Sequence, residues 1–217
     1  DRRALPDGTR LRALGALERA LLRLPDRVWL DTHAHAQALE RELGLDPSRV
    51  AVIPAGAPAV FRRLASPYDA RLPSPRRPLR VLYFGQYIPL HGVDVVLAAA
   101  GLLRDERHIV FEMVGRGQEL AAALRLAERL GLGNVRFVSR WLPADALARD
   151  HIAAADVCLG VFGSEPKAAR VVPFKVYTAL ASGRAVVTAD TPAVAELLRP
   201  GVEALVVPAE DPRALAN

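Results

Sequence analysis

From Arg80 onward, short apolar runs alternate with longer amphipathic or Ala-rich segments. No other feature of the sequence limits the fold as much. The apolar runs lie at 80–84, 108–114, 135–138, 157–161, 185–188 and 204–207. Helical spacing falls at about 93–103, up to about 130, at 144–153, near 174–182 and near 192–198, and Asp211-Pro212 opens a last helix. Continuous apolar runs mark strands covered on both faces, as in parallel sheets. Alternation with helices predicts an α/β fold with a doubly wound, Rossmann-like parallel sheet. Ligands of such sheets bind at the carboxyl ends of the strands, so loops that follow strands are where function is sought.

The first part of the chain reads differently. Leucines at 11, 14, 17, 21, 22 and 24 give helical spacing over 9–24, ended by Pro25-Asp26. Val28–Leu30 is a short strand. Asp31 or Thr32 caps a helix over 33–43 that stops at Gly44, and 50–53 is another strand. Residues 54–78 hold seven Gly or Pro in 25 positions, a linker composition. The expected organisation is therefore residues 1–53, a linker over 54–78 and a Rossmann-like domain over 79–217. The opening Asp1-Arg2-Arg3 has no initiator Met and no apolar segment behind it. It predicts no signal peptide and a chain cut from a longer protein.

Composition narrows the function classes. Across 217 residues, 51% apolar and 24% charged residues are globular proportions. The single cysteine, Cys158, excludes a disulfide framework and a cysteine-built metal site. No apolar run is long enough to span a bilayer, which suits a cytoplasmic enzyme. The net charge of +5 is spread along the chain and aromatics are only 6%. A nucleic-acid binder would show a basic stripe, so no nucleic-acid partner is expected. Of the 29 basic residues, 27 are Arg. The two lysines, Lys167 and Lys175, share one segment. A compact ammonium acts on a phosphate as a point charge, unlike the planar guanidinium fork. The Arg and Ala bias suggests a GC-rich bacterial genome.

Three strand-end loops carry candidate residues. The first follows Phe84: Gly85 permits close backbone approach, Gln86 and His91 can reach a phosphate or sugar, and Gly92 opens a helix. The same loop also reads as an ordinary tight turn. The second is Gly115-Arg116-Gly117, an incomplete G-x-G-x-x-G and a weak signal, followed in the next loop by Trp141, a candidate stacking surface. The third and strongest runs from Gly160 to Arg184. Within it Phe162, Gly163, Glu165, Lys167, Arg170, Val172, Pro173, Phe174, Lys175 and Thr178 are candidate ligand contacts. Pro173 stands where a helix begins, at the favoured first position. A helix start with its free N–H groups and three cations nearby makes a diphosphate site.

In order, FGQYIPLHGVDVVLAAAGLL, FEMVGRGQE, GLGNVRFVSRW, IAAADVCLGVFG, VVPFKVYTALASGRAVVTAD and VPAEDPRALA resemble the donor-binding half of glycosyltransferase family 4, whose members have the two-domain GT-B fold. Residues 28–63 resemble the end of that family's N-terminal domain and its linker. The resemblance implies that 79–217 is the nucleotide-sugar donor domain and 1–53 the tail of the acceptor domain. It implies retaining glycosyl transfer from a UDP- or GDP-sugar to a saccharide or lipid acceptor, as in polysaccharide biosynthesis. No cofactor or metal is required, the diphosphate being held by amides and cations. Glu165 and Lys175 are the catalytic candidates. The sequence departs from the pattern at Gln86 and His91, where the family often has Arg and Lys. It departs again at Arg170 and Thr178, where it often has two Glu, the second holding the ribose. Pro173-Phe174-Lys175 fits a Pro-x-Lys branch. This chain is expected to bind a donor and to transfer little or no sugar alone. A peripheral membrane location of the full-length protein and dimerisation through the N-terminal helices are further expectations. The alternatives are a non-catalytic nucleotide-binding module and a GT-B nucleotide-sugar epimerase.

Overall fold

The computed structural model describes residues 8–65, 67, 74 and 77–217, with side chains from Arg12 onward. The opening Asp1-Arg2-Arg3, the side chain of Leu11 and most of the predicted linker between 66 and 76 lie outside the described residues. The chain divides into two compact units, Asp1–Pro54 and Ala55–Asn217.

The first unit holds α1 (Gly8–Leu22), β1 (Val28–Leu30), α2 (His33–Leu43) and β2 (Val50–Val52). β1 and β2 pair in parallel, Val28 against Val50. Thr32 caps α2, its Oγ1 accepting from the His35 N–H at 3.0 Å. Gly44 ends α2 at φ +69°, a conformation that L side chains avoid. Leu17 and Leu21 on α1 and Trp29 on β1 are more than half exposed.

The second unit begins with α3 (Ala59–Arg63). The sequence reading placed this stretch in a linker, but it forms a short helix whose Phe61 is buried. There follow β3 (Leu79–Gln86), α4 (Val93–Leu102), β4 (Ile109–Arg116), α5 (Leu120–Arg129) and β5 (Val135–Val138). Then come α6 (Ala144–Ala146), β6 (Val157–Leu159), α7 (Phe174–Ala181), β7 (Ala185–Ala189), α8 (Pro192–Leu197), β8 (Leu205–Val207) and α9 (Pro212–Ala216). The helix expected over 144–153 is α6 running on into a π-helical segment, Leu147–Ile152.

The sheet order is β5-β4-β3-β6-β7-β8 and every pairing is parallel. This is the doubly wound Rossmann-like arrangement that the alternation predicts. The chain winds outward from β3 to β5, then returns to β6 beside β3, so the crevice between these two strands is the topological switch point. Asp156, just before β6, holds their start together. Its backbone N–H donates to Arg80 O and its carboxylate accepts from the Arg80 N–H, at 2.9 and 2.8 Å.

The core lies between the sheet and its helices. Tyr83, Tyr87, Leu97, Met113 and Phe162 are among its most enclosed large side chains. α4 buries nearly all of its length, which explains why it is apolar all round rather than amphipathic. Cys158 on β6 is also enclosed, and burial pushes its thiol up to about 12, so it is no nucleophile. No helix among the described residues is long and apolar enough to cross a membrane.

Candidate functional site

A cavity of about 280 Å³ opens at the switch point. β3 supplies Phe84 and Gly85, and the following loop supplies Leu90 and His91. The segment after β6 supplies Val161, Ala168 and Val171. The start of α7 supplies Pro173, Phe174, Lys175 and Thr178, while Phe61 and Leu147 close the remaining sides.

Glycines allow the loops to meet here. Gly115 has φ +140°, and a Cβ on it would lie 1.9 Å from the Gly85 carbonyl oxygen, its neighbour in register on β3. Gly163 sits against the Leu90 carbonyl, where a Cβ would approach to 2.6 Å. The Phe162 N–H donates to His91 O at 3.1 Å, tying the loop after β6 to the loop after β3. The Glu210 N–H donates to Phe162 O at 2.9 Å, and the Ser164 hydroxyl donates to the Glu210 carboxylate. The wall of the crevice is thus latched from the loop after β8, where Glu210 has a positive φ of 57°.

Lys175 dominates the chemistry. It is only 6% exposed, and Nζ has no hydrogen-bond partner among the described residues. Nζ lies 4.0 Å from the Tyr83 ring centroid, and a Cβ on Gly85 would sit 3.3 Å from it. Burial pushes the ammonium down to about 7. Tyr83, itself fully enclosed, donates its hydroxyl to Gln86 O at 2.5 Å. His91 Nδ1 is 2.6 Å from the same carbonyl and 3.0 Å from the Tyr83 hydroxyl. A carbonyl only accepts, so Nδ1 carries the proton and Nε2 is left as the basic nitrogen. Burial first, then the Lys175 charge, hold His91 down at about 4, so it is neutral at physiological pH.

α7 begins one residue later than the sequence suggests. Pro173 is its N-cap rather than its first helical residue, and makes no side-chain cap bond. The first intrahelical N–H is that of Val176, donating to Pro173 O, so the Phe174 and Lys175 N–H groups make no bond within the helix. Thr178 is buried on the same helix, and its hydroxyl donates to Lys175 O and Phe174 O at 3.0 and 3.3 Å.

Of the residues singled out from sequence, Gly85, His91, Pro173, Phe174, Lys175 and Thr178 meet at this cavity. Gln86 and Arg116 end their strands with exposed side chains. Trp141 is exposed in the loop after β5. Gly115, Gly163 and Val172 are buried behind the wall. Phe162 is a core side chain, enclosed because both loops close over it. Lys167 is exposed before a short 3-10 turn that Arg170 ends, and Glu165 is half-buried ahead of it. None of these is on the cavity wall. Of the three cations expected around the helix start, only Lys175 lines the cavity. Tyr83, Leu90 and Leu147 escaped the sequence reading. A tyrosine in a buried strand needs a partner for its hydroxyl, and that was the available signal for Tyr83. Among the described residues no group of three or more His, Cys, Asp or Glu could hold a metal ion.

Comparison with known proteins follows the same line. Residues 78–217 match the family model described as glycosyl transferases group 1. The chain is 31% identical over 216 residues to a D-inositol 3-phosphate glycosyltransferase of Streptomyces scabiei, covering 92% of this chain and 46% of that protein. It is 30% identical over 223 residues to a protein of the same name from Thermobispora bispora, covering 94% and 48%. The chain thus spans about half the length of the curated relatives it matches. Its fold is similar to that of Anabaena HepE, solved in complex with UDP and glucose. There the TM-score is 0.69 and the identity 21%, over 96% of this chain and 55% of that one.

Proposed function

The chain belongs to the group 1 glycosyl transferases, and from that premise we propose that its cavity is the donor site of a nucleotide-sugar glycosyltransferase. The diphosphate of a UDP- or GDP-sugar lies at the start of α7, against the Phe174 and Lys175 N–H groups and the Lys175 ammonium. The reaction is retaining transfer to a saccharide or lipid acceptor. The bond from the anomeric carbon to the β-phosphate oxygen breaks, a bond to the acceptor oxygen forms, and the acceptor proton passes to the departing diphosphate. Lys175 stabilises the negative charge that grows on that leaving group. The acceptor is bound mainly by residues outside 55–217 and, since the chain spans about half the length of its curated relatives, it binds donor and turns over little or none of it. The UDP in Anabaena HepE favours uridine as the base.

The observation that carries this reading is the Lys175 ammonium, buried beside a helix start with no counter-ion among the described residues. A buried cation without a partner is costly unless an anion arrives to pair with it. An epimerase would place an ionisable carboxylate beside the anomeric carbon, and no carboxylate lines the cavity among the described residues. The transferase reading is preferred on that ground.

Calorimetric titration with UDP, GDP and their sugar conjugates tests the proposal, with Lys175→Ala as the variant. We expect one nucleotide to bind and the variant to lose at least about tenfold in affinity, the worth of one charge-assisted bond. Equal affinity in Lys175→Ala would remove Lys175 from the site. Equal affinity for a nucleotide and its sugar conjugate would favour a nucleotide-sensing module.

A further inference from the structure

A lysine ordinarily buries its methylenes and keeps its ammonium in water. Lys175 does the reverse. Its Nζ is enclosed and rests over the Tyr83 ring, 4.0 Å from the centroid. A cation over a ring face is drawn by the ring's quadrupole, more strongly out of water than in it. The ring is itself held fast. Tyr83 is fully enclosed, and its hydroxyl donates to Gln86 O at 2.5 Å. His91 Nδ1 lies 3.0 Å from that hydroxyl. Tyr87 and His91 flank the ring at 75° and 67°, with centroids 5.6 and 6.4 Å away, edge-to-face geometries that aromatic rings prefer. The titratable groups around this arrangement are His91, the hydroxyls of Tyr83 and Tyr87, and Glu119 at the cap of α5, which acts on Tyr83. Burial raises both hydroxyls and lowers His91, so none of these three changes charge between pH 6 and pH 8.

A fixed ring face turns a flexible side chain into a placed charge. The lysine has given up its rotamer freedom before a ligand arrives, which is the essence of preorganisation. We propose that Tyr83 is a positioning residue of the donor site: the face of its ring seats the Lys175 ammonium and keeps it charged at the spot where it meets a diphosphate. The inference rests on the donor-site reading above. Tyr83 is not on the cavity wall and acts on the ligand through Lys175.

The test is magnetic resonance and calorimetry on the full chain. In protein grown with isotope-labelled lysine only Lys167 and Lys175 report, and Lys167→Arg tells them apart. The ring current of Tyr83 is expected to move the Lys175 ε-methylene protons upfield of those of Lys167. Coincident signals in the native chain overturn the seat. Tyr83→Leu removes the ring face and should lower the titration midpoint of the Lys175 amine by about one pH unit, the worth of a desolvated cation–π contact. Tyr83→Phe lacks the hydroxyl but keeps the face, and is expected to rescue the native midpoint. An unmoved midpoint in Tyr83→Leu overturns the proposal. An equal fall in Tyr83→Phe overturns it too, by assigning the effect to the hydroxyl bonds. In calorimetric titration with UDP and GDP, Tyr83→Leu is expected to bind about tenfold more weakly than the native chain at pH 8 and to close most of that gap at pH 6, as its amine regains charge. A loss of the same size at both pH values marks a structural defect and overturns the positioning role. If neither nucleotide binds the native chain, the donor reading falls, while the amine midpoints still decide whether the ring seats the charge. Should Tyr83→Leu fail to fold, the upfield displacement in the native chain and in Tyr83→Phe decides the question.

Discussion

Lys175 is a defect in the unliganded fold. With its ammonium held down at about 7 against an ordinary value of 10.5, the folded state binds fewer protons than the unfolded chain between those two values. Stability therefore rises as the pH climbs from about 7 towards 10.5 and is lowest below 7, where the buried amine is charged in both states. Lys175→Met removes this term. The variant is expected to be more stable than the native chain at pH 7, by on the order of a few kcal/mol, and to lose the rise with pH. Thermal unfolding of both proteins from pH 6 to pH 9 checks this, and a variant less stable than the native chain at pH 7 refutes it. Binding has the opposite sign. A diphosphate favours the charged amine, so it takes up protons near pH 7 and binds less tightly as the pH rises beyond it. Calorimetry in buffers of different ionisation enthalpy reads that proton uptake directly. The sequence marked Lys175 out because lysine is so scarce in this chain. It could not show the ring of Tyr83 beneath the amine, because that contact joins β3 to α7 across the switch point.

At the scale of elements, the site depends on strand ends that approach closer than any side chain allows. Gly115 faces the Gly85 carbonyl across the β3–β4 register, with φ in a region that L residues avoid. Gly115→Ala must push the end of β3 aside, and with it the residue that touches Lys175. The expected loss is about 2 kcal/mol or more, from overpacking added to backbone strain, together with loss of nucleotide binding. Gly131→Ala is the control. It also has a positive φ, but its Cβ would meet open space, so it should lose about 1 kcal/mol and keep its affinity. Chemical denaturation of the two variants separates backbone strain from the clash, and equal losses would argue against the clash. The strands and their parallel order were legible because each is a short apolar run punctuated by a glycine or a helix cap. α3 was not, because proline and glycine surround it and its one anchoring side chain, Phe61, is buried by tertiary contact alone. The start of α7 was misplaced by one residue, since Pro173 suits the first helical position and the cap equally well.

At the scale of the whole chain, every residue on the cavity wall falls within Ala55–Asn217. The six-stranded sheet, its covering helices and the latch from Glu210 to the loop after β6 fall there too. The first unit contributes a two-stranded parallel sheet, which is marginal by itself, and leaves Leu17, Leu21, Leu24, Trp29 and Ile53 substantially exposed. If the donor site is the property of the second unit, a polypeptide of residues 55–217 should fold alone and bind nucleotide as the full chain does. The expected result is one cooperative unfolding transition and a Kd within about threefold of the full chain's, since no wall contact is lost. The polypeptide of residues 55–217 should not release free nucleoside diphosphate from a nucleotide-sugar at a steady rate when mixed with an acceptor, because acceptor binding is assigned mainly to residues outside this unit. A Kd weakened by more than about tenfold in a folded 55–217 would place part of the donor site in residues 1–54. Steady turnover by 55–217 would show instead that the second unit carries its own acceptor site, and the division of labour inferred from the relatives' greater length would fall.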